Sequence, residues 1–292
     1  MIKISFFLLA LVSQVNAATD RNYAGVKQFL ADLQKNYPKT VQTFTLGKSD
    51  SGEDIVGVKI GSGEIPNLVV GTHHGNEYGS TEVALAFAES VADKPLNHQT
   101  MYVIPVLNIP GYNSRSRHEM ANGRYHDANR DYPSPCGTDG PFNLKSTLAL
   151  ADFVREKGIV GSATLHTYTG AALYPWGIST HDVKTEYDEL FIELTKTATA
   201  HSGYQFGNST DLLYPADGTF EDYAFMEHGV WSILFELGYS HSPSQADIDK
   251  MIERNVPGLR DMFTSMPSER AEKHAFTGKC EARMLGLDRR DE

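Results

Sequence analysis

Residues 65–77 read IPNLVVGTHHGNE. The first half is a short apolar run that ends in Val69 and Val70 and is closed by a glycine, which is typical of a buried strand rather than of a helix. The polar second half therefore follows the carboxyl end of a strand, where open α/β sheets bind their ligands. Within this half, His74 and Glu77 are the first candidate functional residues.

Apolar stretches recur along the rest of the chain at the spacings of strands and helices. Strands are predicted over residues 41–46, 55–60, 101–107, 159–165 and 230–237, the first two as a hairpin. Helices are predicted over residues 23–33, 81–92, 143–157, 183–202, 218–226 and 243–263. This alternation predicts a single α/β domain with a mainly parallel sheet.

Two segments lack such a pattern. Residues 108–141 are polar and rich in Gly, Pro and Arg. We predict a long functional loop there, since loops of this length inside compact domains usually have a function. Residues from about 267 onwards are predicted to form a polar tail.

Composition excludes some classes of function. The 292 residues are 40% hydrophobic, which is enough for a sizeable core in one domain. The formal net charge of −11 disfavours nucleic-acid binding, because contacts to phosphates need a basic surface. Serine or cysteine hydrolysis is disfavoured too, since the chain has no Gly-x-Ser-x-Gly motif and no cysteine beside a plausible base. We expect a monomer.

The first 17 residues are predicted to be a secretory signal peptide. Lys3 precedes a short apolar run, and residues 15–17 offer the small side chains that a signal peptidase reads. The run is too short to span a membrane. Residues 18–292 are therefore expected to be secreted or periplasmic, without a membrane span.

Export is consistent with the two cysteines of the chain, Cys136 and Cys280. In an oxidising compartment they are predicted to form one disulfide that ties the C-terminal tail to the body. The tail around Cys280 has few apolar residues with which to dock, which favours pairing over two unpaired thiols.

Polar side chains also stand where two other predicted strands end, namely His166 and Glu236. Two histidines and one carboxylate are the usual protein ligands of a catalytic zinc ion, with water at the fourth corner. The set His74, Glu77 and His166 therefore predicts one zinc ion. His73 is an alternative ligand, but the two-residue spacer before the carboxylate favours His74. The remaining histidines are interpreted as ordinary polar residues.

Six motifs extend this pattern over nearly all of the chain after the signal peptide. They are HGNE at 74–77, DANRDY at 127–132, TLHTY at 164–168, LYPWG at 173–177, YPADG at 214–218 and FEL at 235–237. In content and order the chain resembles the zinc metallocarboxypeptidase family of carboxypeptidases A and B. The resemblance implies a mixed, mainly parallel sheet flanked by helices on both faces, in one catalytic domain over residues 18–292.

The resemblance also implies roles for residues near the metal. His74, Glu77 and His166 would be the zinc ligands. Glu236 would be the general base that moves a proton from water to the leaving amine. Arg117 would stabilise the oxyanion.

Further residues would bind the substrate. Asn129 and Arg130 would hold its terminal carboxylate, which a guanidinium group fits, and Tyr214 would close over it. For the oxyanion role of Arg117, Arg115 and Arg124 are alternatives.

Two positions predict the pocket for the side chain of the substrate's C-terminal residue. The resemblance implies that Glu221 lies at the floor of this pocket and Gly177 on the opposite wall. A carboxylate in a narrow desolvated pocket favours a cationic partner, so the expected preference is for C-terminal Lys or Arg. The alternative is that Glu221 caps the neighbouring turn at residues 218–220 or faces solvent.

The expected function is thus that of an exported zinc metallocarboxypeptidase acting on peptides. One alternative is a muropeptide amidase that releases diaminopimelate from γ-D-glutamate, because diaminopimelate also carries an amine on its side chain. Another is a deacylase of small N-acyl amino acids, and a third is a catalytically inactive peptide-binding relative. The presence of Glu236 argues against the inactive relative.

Overall fold

The fold centres on one mixed sheet, seen in a computed structural model that describes residues 21–137, 141–179, 181, 183–272 and 276–280. The predicted signal peptide lies outside these residues. The strands are β1 (Val41–Lys48), β2 (Asp54–Ile60), β3 (Ile65–Gly71), β4 (Gln99–Ile104), β5 (Glu119–Ala121), β6 (Arg124–His126), β7 (Gly161–His166), β8 (Ala171–Tyr174), β9 (Gln205–Asn208) and β10 (Trp231–Glu236). The strands β5 and β6 form a separate hairpin.

The main sheet has the order β1-β2-β4-β3-β7-β10-β8-β9. Strands β4, β3, β7 and β10 run parallel to one another, as do β8 and β9, and the remaining pairs are antiparallel. The chain passes from β3 to β4 on one side and later places β7 on the other side of β3. A crevice therefore opens at the carboxyl ends of β3 and β7, where the direction of winding changes, and such crevices bind ligands.

Helices flank this sheet, and the predicted α/β architecture is confirmed. They are α1 (Tyr23–Asn36), α2 (Tyr78–Asp93), α3 (Ile109–Ser114), α4 (Lys145–Lys157), α5 (Asp188–Thr199), α6 (Ser209–Leu212), α7 (Phe220–His228) and α8 (Gln245–Ser265). Helix α8 packs against α2 and α5, while α4 packs against β1 and α7. Within the described residues, every helix is too short or too polar to cross a bilayer.

The segment 108–141 is more ordered than the predicted loop. It contains α3, the β5–β6 hairpin and a 3₁₀ turn at Ala128–Arg130. Strands of three residues are too short to show a periodic pattern, which is why the sequence did not indicate these elements. The turn of the hairpin is nevertheless readable, because Asn122 and Gly123 both have positive φ, at 50° and 75°, and Asn-Gly is the preferred pair for such turns.

The C-terminal segment also differs from the predicted polar tail. Its described residues contact the body: the Trp231 indole donates to the Glu269 carbonyl at 2.8 Å, and the Ala271 amide donates to the Gly229 carbonyl at 2.8 Å. Further along, the Phe276 ring packs edge-on against Trp176 at 5.3 Å. Main-chain hydrogen bonds and aromatic packing thus help to dock this segment.

Cys136 and Cys280 form a disulfide, with their Cα atoms 5.4 Å apart. The pairing that we expected from the sequence is therefore present. It joins the end of the docked segment to the loop that follows the 3₁₀ turn.

Candidate metal centre and substrate cavity

The turn after β3 brings two candidate ligands together. The Glu77 amide donates to the His74 carbonyl at 3.1 Å, which closes the turn, and α2 begins at the next residue. Gly75 is needed there, because a Cβ atom on it would lie 1.9 Å from the Gly111 carbonyl carbon. The third candidate, His166, is the last residue of the neighbouring strand β7.

The three side chains converge on one point. His74 Nδ1 lies 2.8 Å from Glu77 Oε1, His166 Nδ1 lies 3.0 Å from Glu77 Oε2, and the two imidazole nitrogens are 3.2 Å apart. Donors at the corners of a tetrahedral zinc site, with bonds of about 2.0–2.1 Å, are separated by roughly 3.3 Å. All three residues are buried, so His74, Glu77 and His166 fit a single zinc ion.

His73 lies outside this group. Its ring is buried and stacks against His166 at 5.4 Å, and its Nε2 atom contacts the Tyr132 hydroxyl at 3.1 Å. Burial lowers the pKa of His73 well below its ordinary value, so the ring is neutral. It packs behind the ligands.

Asp127 connects the metal ligands to an arginine, a role that the sequence analysis missed. Its Oδ1 atom lies 2.9 Å from His74 Nε2, and its Oδ2 atom accepts from Arg117 Nε at 3.0 Å and Nη2 at 2.7 Å. Burial opposes ionisation of Asp127, but His74 and Arg117 outweigh it and hold its pKa well below the usual range. Hydrogen bonds of this kind orient a ligating imidazole.

Arg117 is the arginine that reaches the ligands. Its Nη1 atom lies 3.2 Å from His74 Nδ1 and 3.7 Å from Glu77 Oε1. The Arg115 guanidinium instead lies over the Tyr112 ring and donates to the Arg21 carbonyl at 2.9 Å. Arg124 is exposed at the start of β6.

Glu236 stands opposite His166, because the two residues pair in the register of β10 and β7. It lines the same cavity as the three ligands. Burial and the charge of Glu77 raise the pKa of Glu236 well above its ordinary value.

The cavity has a volume of about 760 Å³ and also contains the residues expected to bind substrate: Gly177, Tyr214, Glu221, Asn129 and Arg130. Arg130 donates from Nη2 to the Tyr214 hydroxyl at 3.4 Å. The Tyr214 side chain is half exposed. The structure thus brings these groups into the cavity that the three candidate ligands also line.

Glu221 is buried inside this cavity, rather than facing solvent. It accepts hydrogen bonds from Thr164 Oγ1 and, at 3.5 Å, from Asn129 Nδ2. The cap of α7 is made by Thr219 instead. Among the residues that the structure describes, no cationic side chain forms an ion pair with Glu221.

Asp222 holds the backbone of Gly177, the residue expected on the opposite wall of the pocket. Both of its carboxylate oxygens accept from the Gly177 amide at 3.0 Å. Burial raises the pKa of Asp222 to about 8. A Cβ atom on Gly177 would lie 3.0 Å from Ser209 Cβ, so a larger residue here would crowd the wall.

Comparisons with known proteins point to one family. The family model for zinc carboxypeptidases matches residues 26–258. Carboxypeptidase O of Bos taurus is 24% identical over 314 residues, covering 90% of this chain and 83% of its own length. Carboxypeptidase SOL1 of Arabidopsis thaliana is 23% identical over 272 residues, and the alignment covers 82% of this chain but only 55% of the plant protein.

A solved structure shows the same fold. Bovine thrombin-activatable fibrinolysis inhibitor, in complex with a tick carboxypeptidase inhibitor, superposes with a TM-score of 0.76 at 19% identity. The match covers 85% of this chain and 97% of the bovine one. Together with the match over residues 26–258, the fold and the three converging ligands lead to one conclusion: this chain belongs to the zinc carboxypeptidase family.

Proposed function

We propose that this protein is an exported zinc carboxypeptidase that hydrolyses the C-terminal peptide bond of peptides and prefers a terminal lysine or arginine. One observation carries the proposal: three zinc-ligand atoms, a carboxylate and a guanidinium group face one cavity. The residues are His74, Glu77, His166, Glu236 and Arg130.

The substrate terminus is bound by Arg130 and Asn129. The planar guanidinium group of Arg130 suits a carboxylate, to which it can donate two hydrogen bonds. Its contact with the hydroxyl of half-exposed Tyr214 supports a role for that phenol in covering the bound terminus.

The chemistry is divided between the metal and two side chains. A zinc ion held by His74, Glu77 and His166 would lower the pKa of its bound water and polarise the scissile carbonyl. Glu236 accepts a proton from the attacking water and donates it to the amine nitrogen of the departing residue. Arg117, which Asp127 holds through Nε and Nη2, donates to the carbonyl oxygen as negative charge develops there.

The preference for a basic residue rests on Glu221. A buried carboxylate that forms no ion pair within the described residues favours a ligand that brings a cation. The terminal side chain of lysine or arginine would supply it once Arg130 holds the neighbouring carboxylate.

The test of the function is hydrolysis of short peptides that differ only in their last residue, by the zinc-loaded protein. We expect release of single residues, fastest for Lys and Arg. The Glu236→Gln variant should keep its zinc and lower kcat by about 10²–10⁴-fold, while Glu193→Gln, on the exposed face of α5, should behave as wild type.

Two outcomes would favour the alternatives. Cleavage restricted to a γ-D-glutamyl-diaminopimelate peptide would indicate a muropeptide amidase. Full zinc occupancy with no released residue from any substrate would indicate a non-catalytic peptide binder.

The preference is tested by Glu221→Gln, which keeps the shape of the side chain and removes its charge. Losing one partner of a buried ion pair costs about 3–5 kcal/mol, so kcat/KM for peptides ending in Lys or Arg should fall by roughly 10²–10⁴-fold. Peptides ending in Leu should be affected little. Unchanged selectivity would show that Glu221 does not read the terminal side chain.

Export is supported by the Cys136–Cys280 disulfide, because stable disulfides belong to oxidising compartments. The predicted signal peptide is the second argument. N-terminal sequencing of the protein recovered outside the cytoplasm should begin at residue 18, and an N-terminus that retains Met1 would contradict the proposal.

A further inference from the structure

His241 lies beside the proposed metal site but belongs to none of its expected roles. It follows β10 in the chain and lines the cavity that holds the three ligands and Glu236. Its ring packs edge-on against Tyr168 at 4.7 Å, with an angle of 83° between the planes. About two-fifths of the side chain (43%) is exposed, so the ring borders both the ligands and the open part of the cavity.

The Nδ1 atom of His241 is buried and forms no hydrogen bond with any residue that the structure describes. The Thr167 backbone also contacts the ring. Buried polar atoms nearly always have a partner, so an unpartnered one needs an explanation. A ligand in the cavity would provide that partner.

Distances place this nitrogen close to the position of a reacting group. His241 Nδ1 lies 3.9 Å from Glu77 Oε1, and Arg117 Nη1 lies 3.7 Å from the same oxygen. Neighbouring corners of a tetrahedral zinc site are roughly 3.3 Å apart. His241 Nδ1, at 3.9 Å from the corner that Glu77 Oε1 would occupy, can therefore reach an oxygen atom at the neighbouring corner.

Arg117 alone offers few donors to that position. Its Nε and Nη2 atoms are engaged by Asp127, which leaves Nη1 to face the ligands. Oxyanion sites stabilise developing charge with preorganised donors, and each donor contributes substantially. A second donor is therefore expected near Arg117.

We propose that His241 binds the carbonyl oxygen of the scissile peptide bond through Nδ1, beside Arg117. The inference rests on the proposed function for the identity of the bond, and it adds a residue that contacts the substrate. The packing against Tyr168 holds the ring in position for this contact.

The test measures binding rather than turnover. Two uncleavable ligands are compared by calorimetry, both ending in lysine. In one, a ketomethylene group replaces the scissile amide and keeps the carbonyl oxygen; in the other, an ethylene group replaces the amide and lacks it. Each is titrated into zinc-loaded protein and into protein from which zinc has been removed, so that the contribution of the side chains is seen alone.

Three variants separate the donor from the ring. His241→Phe keeps the aromatic packing and removes the donor, and it should reduce the preference for the ketone about three- to tenfold in the zinc-free protein. His241→Gln keeps a donor and should stay within about twofold of wild type. His201→Phe, a half-exposed histidine that contacts Asp261 on the surface, serves as the matched control.

The proposal is overturned if His241→Phe keeps the wild-type preference, or if the wild-type protein does not distinguish the two ligands. Melting temperatures check the fold, and His241→Leu replaces the phenylalanine variant if that variant is unfolded. Failure of the proposed function looks different. In that case no peptide is cleaved even by zinc-loaded wild type, whatever the two ligands show.

Discussion

At the scale of single residues, Asp127 links the candidate metal ligand His74 to Arg117. One carboxylate oxygen contacts His74, and the other holds Arg117. The same side chain accepts from the Asn129 amide at 2.8 Å. A change at this position therefore affects metal affinity and the orientation of Arg117 together.

We predict that Asp127→Asn weakens zinc binding about 10–100-fold, the usual effect of removing such a hydrogen-bond partner of a ligand. The amide keeps the size of the side chain but cannot act as a charged acceptor for the imidazole. Competition with a chelator measures the affinity. Asp261→Asn is the control, because Asp261 also contacts a histidine, His201, but at the surface. Wild-type affinity in a folded Asp127→Asn protein would contradict the prediction.

At the scale of elements, the β5–β6 hairpin lies in the chain between Arg117 and Asp127. It is anchored by Glu119, which is buried and accepts from the Asp50 amide at 3.3 Å and from Ser146 Oγ at 2.9 Å. These contacts join the hairpin to the β1–β2 turn and to the start of α4. The anchor therefore sets the position of both residues at the base of the hairpin.

The anchor makes stability depend on pH, because burial raises the pKa of Glu119 to about 7. The ordinary value, which applies in the unfolded chain, is 4.5. Between about pH 4.5 and pH 7 the folded state keeps a proton on Glu119 that the unfolded state has lost. The contribution of this proton to the free energy of unfolding is therefore fully present below about pH 4.5 and is lost as the pH rises to about 7. The decrease attributable to Glu119 is about 3 kcal/mol.

Urea unfolding at pH 5 and pH 8 tests this expectation. The free energy of unfolding should fall less across that range in Glu119→Gln than in wild type, because glutamine does not titrate. Glu253→Gln, an exposed position on α8, should keep the wild-type dependence. Equal slopes for Glu119→Gln and wild type would show that Glu119 ionises normally.

At the scale of the whole molecule, the sheet order and the C-terminal segment assemble the site. The ligands and Glu236 come from the ends of three adjacent parallel strands, β3, β7 and β10. The C-terminal segment packs on Trp176, next to Gly177 in the pocket wall. The disulfide then joins this segment to the loop that follows Arg130, another residue of the cavity lining.

We predict that the free energy of unfolding of the double variant Cys136→Ser/Cys280→Ser is about 2–5 kcal/mol lower than that of wild type, because the disulfide closes a long loop in the unfolded chain. The separation in sequence is 144 residues. Guanidinium unfolding followed by tryptophan fluorescence measures the difference. A reducing agent should destabilise wild type and leave the variant unchanged. If reduction has no effect on wild type, the disulfide does not contribute to stability.

Much of the fold was readable from the sequence where apolar runs are long. Strands β3, β7 and β10 are largely buried apolar runs, and each is followed or closed by a candidate functional residue, so their ends could be located. Strands β8 and β9 were missed, because four residues are too few for a periodic signal and β9 is largely exposed. His241 was missed for another reason: nothing in its neighbourhood along the chain indicates that it faces Glu77.

The sequence by itself determined the residues that act within one turn, such as His74 and Glu77, because a spacing of three residues brings both side chains to the same side of the chain. Only the tertiary structure decided which distant groups join them. His166 and Glu236 meet the turn through the order of the strands, and Arg117 rather than Arg115 reaches it through the path of α3 and the hairpin. Contacts between residues that are distant in the sequence depend on how the helices and strands pack, and the local sequence does not indicate that packing.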